Sequence, residues 1–247
     1  MSIHSSRESG LIVASVRALM REGRVAALAT LQPGTQSPYA SFITVATETD
    51  GSPVFLISKL AWHTRNLESD PRASILFNAE CRAGDPLNVG RVSLMGVAAP
   101  TDDPAVRSRF LAKHPGAALY ADFADFSFWR LQIEQAHFVG GFGRITTLPA
   151  RDILRDRETA MTWDDGVGAA IEAANTANTE LIGRLAGSLT GRADHGWRIA
   201  ACDPEGCDLV SGDDAVRVVF AEPIGASEAL AGALQRLARG DPAREIN

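Results

Sequence analysis

Apolar and polar residues alternate with a period of two over several short stretches in the first half of the chain, the pattern of half-buried strands. Arg24 to Leu31, Tyr39 to Thr47, Val54 to Ser58, Arg72 to Asn78, Arg91 to Ala98 and Ser127 to Val139 carry it. Turn residues separate them: Pro33-Gly34, the run Thr49-Asp50-Gly51-Ser52-Pro53, and a loop holding Cys81, Gly84, Asp85 and Pro86. Helical spacing occurs in Leu11, Ile12, Val16, Leu19 and Met20, behind a Ser5-x-x-Glu8 capping box and ahead of Gly23, read as a left-handed stop. Thr101-Asp102-Asp103-Pro104 caps a helix through about Lys113, His114-Pro115-Gly116 breaks it, and a second short helix runs through Tyr120. Six strands with only short helices between them predict a closed or nearly closed antiparallel β-barrel, because closure removes the edges of a sheet.

The second half reads differently. Leu148-Pro149-Ala150-Arg151 and the polar stretch up to Asp164-Asp165-Gly166 look like a linker. Beyond it come a helix through Ile171, Leu181, Ile182 and Leu185, strands near Arg198 to Cys202, Cys207 to Val210 and Ala215 to Phe220, and a helix through Leu230, Leu234 and Leu237. The expected architecture is a six-stranded antiparallel β-barrel over residues 1-150, followed by a smaller α+β domain (helix, three strands, helix) over 160-247.

Of the 247 residues, 45% are hydrophobic and 22% charged, enough for a sizeable core. A net charge of -6 argues against a general nucleic-acid or anionic-membrane binder, since both need a basic field. No apolar run approaches a bilayer span and no leader pattern opens the chain, so a cytoplasmic protein is expected. The odd cysteine count fits a reducing compartment. Cys202 and Cys207 can face each other across a hairpin, and both are read as ordinary thiols. No metal site is expected: His114, His137 and His195 lack ligand spacing. Asp164-Asp165 and Asp213-Asp214 read as turn residues. Without a Gly-x-Ser-x-Gly elbow or a cysteine nucleophile signature, no catalytic residue is assigned.

The candidate chemistry lies in Ser58-Lys59-Leu60-Ala61-Trp62-His63-Thr64-Arg65-Asn66-Leu67-Glu68-Ser69-Asp70-Pro71-Arg72. Hydroxyls, an imidazole and a guanidinium lie where a strand passes into a short helix, whose first N–H groups attract anions. Arg65 offers a bidentate contact to a phosphate, and Ser58 and Thr64 add hydroxyl donors.

This run is followed by Asp85-Pro86-Leu87, Arg91-Val92-Ser93-Leu94-x-Gly96, His114-Pro115, Asp125-Phe126 with Arg130-Leu131, and Val139-Gly140-Gly141-Phe142-Gly143. In that order, over residues 10 to 148, the chain resembles the FMN-binding split-barrel (pyridoxamine 5'-phosphate oxidase-like) superfamily, in its haem-utilisation, HugZ-type branch. The resemblance implies a homodimer with its cofactor in a groove where two barrels meet. It implies FMN held by Ser58, Thr64, Arg65 and Asn66, with Arg91 on a strand lining the groove and His63 as a cofactor or haem-propionate contact. Trp129 and Phe142 are candidates to stack on a flat ring, with the core as the stronger explanation of each. Ser41 and Ala46 stand where flavin oxidases tend to have Arg and Lys. No histidine follows His195, although haem-degrading relatives take an axial ligand from the C-terminal segment. Ala173-Ala174-Asn175-Thr176-Ala177-Asn178 retains only the Asn of a His-rich motif found in relatives. The expected function is an FMN-dependent flavoprotein oxidoreductase. Haem binding or degradation is the alternative, and a cofactor-free interaction protein the second alternative.

Overall fold

A computed structural model describes residues 3–79, 81, 84–141, 144–191 and 196–239, with side chains from residue 9 onward. The chain divides into two units, one taking residues up to Phe110 together with Leu119–Arg155, the other Leu111–Ala118 and the residues from Asp156 on.

The first unit holds β1 (Val25–Leu31), β2 (Pro38–Thr47), β3 (Pro53–Ser58), β4 (Arg72–Asn78), β5 (Arg91–Thr101), β6 (Phe126–Val139) and β7 (Ile145–Pro149). They pair in the order β3-β2-β1-β4-β5-β6-β7, and β6 also returns to β3. Every pairing is antiparallel, so six strands close into the expected barrel. β6 is long enough to serve two neighbours on one edge: residues 126–130 pair with β3, and residues 135–139 pair with β7. α3 (Pro104–Lys113) follows β5 as expected, whereas β7 and α4 (Ala150–Ile153) overturn the expected linker at Leu148–Arg151.

Alternation drives closure. In β5, Val92, Leu94 and Ala98 point into the core, as do Ala26 and Leu28 in β1. Each large aliphatic side chain so buried contributes about 1.5–3 kcal/mol. A register shift between Met95 and Gly96 brings β6 so near that a Cβ on Gly96 would lie 1.9 Å from the Gln132 carbonyl oxygen. No other residue fits there without moving backbone.

α1 (Ile3–Glu22) sends Val16, Leu19 and Met20 into the barrel core. The proposed capping box lies outside the described side chains. Gly23 does not take the expected left-handed conformation: its N–H bonds Leu19 O at 3.1 Å, and a Cβ would stand 2.6 Å from the Phe77 ring. Close approach, not chirality, requires glycine here. Gly51, at φ +105°, does need its freedom in the β2–β3 turn.

The second unit is a three-stranded meander, β8 (Arg198–Asp203), β9 (Gly206–Ser211) and β10 (Asp214–Val219), with α5 (Arg157–Ala177), α6 (Thr179–Thr190) and α7 (Leu230–Ala238). Asp156 caps α5 by accepting from Thr159 N at 3.0 Å, so Asp164 and Asp165 are helical, not turn residues. The single helix expected through Ile171 and Leu185 breaks into α5 and α6 at Asn178. Cys202 and Cys207, both fully buried, are directly opposed across β8 and β9 and form a disulfide, which corrects their reading as thiols. Arg217, almost fully buried, bridges Asp203 at 2.8 Å and Asp208 at 3.3 Å across the same strands. No described helix is long and apolar enough to cross a membrane.

Candidate functional site

α2 (Trp62–Ser69) joins β3 to β4 and lies over one end of the barrel, where β1 and β3 finish and β2 and β6 begin. Its position follows from five polar contacts in and around it. Thr64 Oγ1 donates to the Ser58 carbonyl at 2.6 Å, closing the turn between strand and helix. Asn66 Nδ2 donates to Thr30 Oγ1 of β1 at 2.9 Å, with both side chains buried. Ser58 Oγ donates to Asp125 Oδ2 at 2.8 Å and accepts from Leu60 N at 3.1 Å. His63 Nδ1 lies 3.0 Å from Ser41 Oγ on β2.

Ser41 shares the inward side of β2 with the buried Ile43 and Val45, so its hydroxyl sits at the mouth of the core. It is paired in register with Leu28, whose carbonyl oxygen lies 3.4 Å from the same hydroxyl. His63 is half-buried, and burial lowers its pKa below the ordinary histidine value. Its imidazole is therefore neutral at pH 7. Among the described residues Nε2 has no hydrogen-bond partner, and it is not sealed from solvent. Trp62, the residue before His63, is 58% exposed and meets Tyr39, two residues before Ser41 on β2, with ring centroids 5.8 Å apart.

The six residues expected to hold a cofactor thus separate. Ser58 and His63 lie at this end of the barrel in two separate pairs, Ser58 with Asp125 and His63 with Ser41. Thr64 and Asn66 turn inward, with their polar atoms committed to protein partners. Arg65 points to the surface, and no hydrogen bond or ion pair within the described chain engages its guanidinium. Arg91 folds back on its own loop, donating to Leu87 O at 3.2 Å and Val89 O at 3.5 Å, and no hydrogen bond or ion pair among the described residues joins it to the α2 residues. Ala61 supplies no side-chain cap, leaving the first-turn N–H groups of α2 without one. Lys59 Nζ donates to Ala124 O at 3.0 Å. Trp129 is a core residue with its indole N–H on Ser127 Oγ; Phe142 and His195 lie outside the described residues.

Asp125, Tyr39 and Trp62 are site residues that the sequence did not single out as ligand contacts. Helical periodicity does foretell the inward turn of Thr64, because it lies three residues before Leu67, the one aliphatic residue of α2. Among the described residues no group of three or more His, Cys, Asp or Glu could hold a metal ion.

A family model described as CREG, beta-barrel, matches residues 9–154. The chain belongs to this family. A crystal structure of Atu2129, a protein of unknown function from Agrobacterium tumefaciens, is 31% identical, with a TM-score of 0.73 over 91% of this chain and 94% of that one. The structure of a heme binding protein from Mycobacterium smegmatis is also 31% identical, with a TM-score of 0.56 over 93% of this chain and 96% of that one. Of curated proteins, a non-canonical chloroplastic heme oxygenase, HOZ, from Arabidopsis thaliana is 39% identical over 109 residues. That match covers 42% of this chain and 32% of the relative. The split-barrel resemblance therefore holds, and it extends to proteins whose names carry haem.

Proposed function

We propose that the barrel unit binds haem, with His63 Nε2 as the iron ligand. The carrying observation is a half-buried imidazole at the barrel mouth with one nitrogen held by Ser41 and, among the described residues, no partner for the other. Such a nitrogen is the donor a haem iron requires. Tyr39 and Trp62, neighbours of Ser41 and His63 on their own elements, offer an aromatic surface for a flat macrocycle. Bound haem would supply redox and oxygen chemistry; this chain's residues would orient it and limit access of water. The names of the mycobacterial and Arabidopsis relatives support the same reading.

FMN is the second reading, favoured by the uncapped start of α2 beside Arg65. Against it, Ser41 is uncharged and Ala46 is a small buried residue, so neither supplies the cation that a phosphate dianion calls for. Thr64 and Asn66 are also turned away from solvent.

A homodimer belongs to the proposal. The outward row Phe42, Ala27 and Leu76 crosses three strands in register, with Phe42 72% exposed and no charged residue among the outward positions of β1 and β2. An uncharged sheet face of this kind is suited to burial against a second copy. Titration with hemin should give a saturable Soret band in the wild type and a shifted band with at least about tenfold weaker binding in His63→Ala. An unchanged band in that variant would remove His63 as the ligand. Flavin released from the purified protein would favour FMN.

A further inference from the structure

We propose that Ser41 selects the tautomer of His63 and so presents Nε2, unprotonated, as the ligating atom; the iron-binding part of this inference rests on the haem reading above. Ser41 carries one hydroxyl proton and can accept through its oxygen lone pairs. Among the described residues two groups lie within reach of that hydroxyl: the Leu28 carbonyl oxygen at 3.4 Å and His63 Nδ1 at 3.0 Å. A carbonyl only accepts. Sending the serine proton to Leu28 O leaves the serine oxygen to accept from a protonated Nδ1, and both contacts are satisfied at once. The reverse arrangement donates the serine proton to Nδ1, forfeits the Leu28 contact and places the ring proton on Nε2, where it blocks coordination.

The relay Nδ1–H to Ser41 to Leu28 O also crosses from helix to barrel. His63 is on α2, whereas Ser41 and Leu28 are opposed residues of β2 and β1. The ring's rotation is thereby tied to the strands and not only to the short helix that carries it. Imidazole ligands of metals commonly donate their second N–H to an oxygen acceptor, and loss of that acceptor costs about 10- to 100-fold in affinity. Ser41 is a positioning residue in this sense: it touches His63 and not the iron.

The test uses the full-length apo protein labelled with 15N-histidine, read at a pH well above the histidine pKa, with the His63 signal assigned by its loss in His63→Gln. The wild type should show Nδ1 protonated and Nε2 bare. Ser41→Ala should lose that preference and bind hemin about 10- to 100-fold more weakly, while Ser41→Thr, which restores a hydroxyl, should return both to near the wild type. Thermal melts of each variant within a few degrees of the wild type would exclude misfolding as the cause. A proton on Nε2 in the wild type, or Ser41→Ala equal to the wild type in both measurements, would overturn the inference. A wild type that binds no hemin would overturn the haem reading, and hemin affinity unchanged in His63→Ala would remove the iron role of His63. Because the apo spectrum contains no haem, it identifies which of the two has failed.

Discussion

Thr64→Val separates a structural hydroxyl from a ligand-binding one. The side chain is fully buried, and its Oγ1 donates to the Ser58 carbonyl at 2.6 Å. Valine keeps the shape and removes the donor. The Ser58 carbonyl retains a second donor, Ala61 N at 3.1 Å, so it is not left unpaired. The loss is then that of one ordinary hydrogen bond, about 0.5–1.5 kcal/mol. In a protein of this size that lowers Tm by roughly 2–4 °C per kcal/mol. Asn66→Ala should cost more, about 1–3 kcal/mol, because it strands the buried Thr30 hydroxyl. Chemical denaturation and hemin titration on the same samples check both. Hemin affinity should stay within a factor of about three for Thr64→Val, as for a substitution away from the ligand. A tenfold loss of affinity with unchanged stability would show that Thr64 reaches the ligand, and would refute its inward assignment.

Gly96→Ala should destabilise by on the order of 3 kcal/mol or more, since its Cβ would fall 1.9 Å from the Gln132 carbonyl oxygen. The control Gly10→Ala, with nothing within 4 Å of the added atom, should be neutral or stabilising, and equal Tm values for the two would contradict the packing described. Thiol counting under denaturing, non-reducing conditions should find one free thiol per chain, that of Cys81, and three after reduction; three from the start would deny the Cys202–Cys207 bond. Burial lowers the His63 pKa below its unfolded value of about 6.5, so the unfolded chain takes up the proton first. The contribution of His63 to stability is thus present above about pH 6.5 and lost as the pH falls through the folded pKa. Unfolding free energies of wild type and His63→Gln should diverge in pH dependence across that window, and parallel curves would show that the ring is not desolvated.

The barrel was readable because its strands alternate cleanly: β5 buries every second residue from Val92 to Ala98, and only closure hides the edges of such a set. Elements set by tertiary contact were not. β7 is Ile-Thr-Thr-Leu-Pro, too short and mixed for a pattern, and its strand conformation depends on the outer half of β6. The start of α5 holds threonines, aspartates and glycines of modest helix propensity, so the capping Asp156 was the signal that passed unread. The disulfide depends on hairpin register, which puts Cys202 opposite Cys207, and with it goes the ground on which the cysteine count favoured a reducing compartment. At the site, a stretch of clustered polar residues resembled one cradle. Helix geometry instead divides it, sending Thr64 and Asn66 inward, Arg65 outward and His63 to a partner, Ser41, that lies twenty-two residues away on another element.

The most direct measurement is the absorption spectrum of the purified full-length protein, taken as isolated and again after adding hemin. Haem ligation by His63 predicts a Soret band that saturates with hemin in the wild type and loses its form in His63→Ala. A protein that leaves the spectrum of free hemin unaltered, or that is yellow and gives up flavin on denaturation, would contradict it.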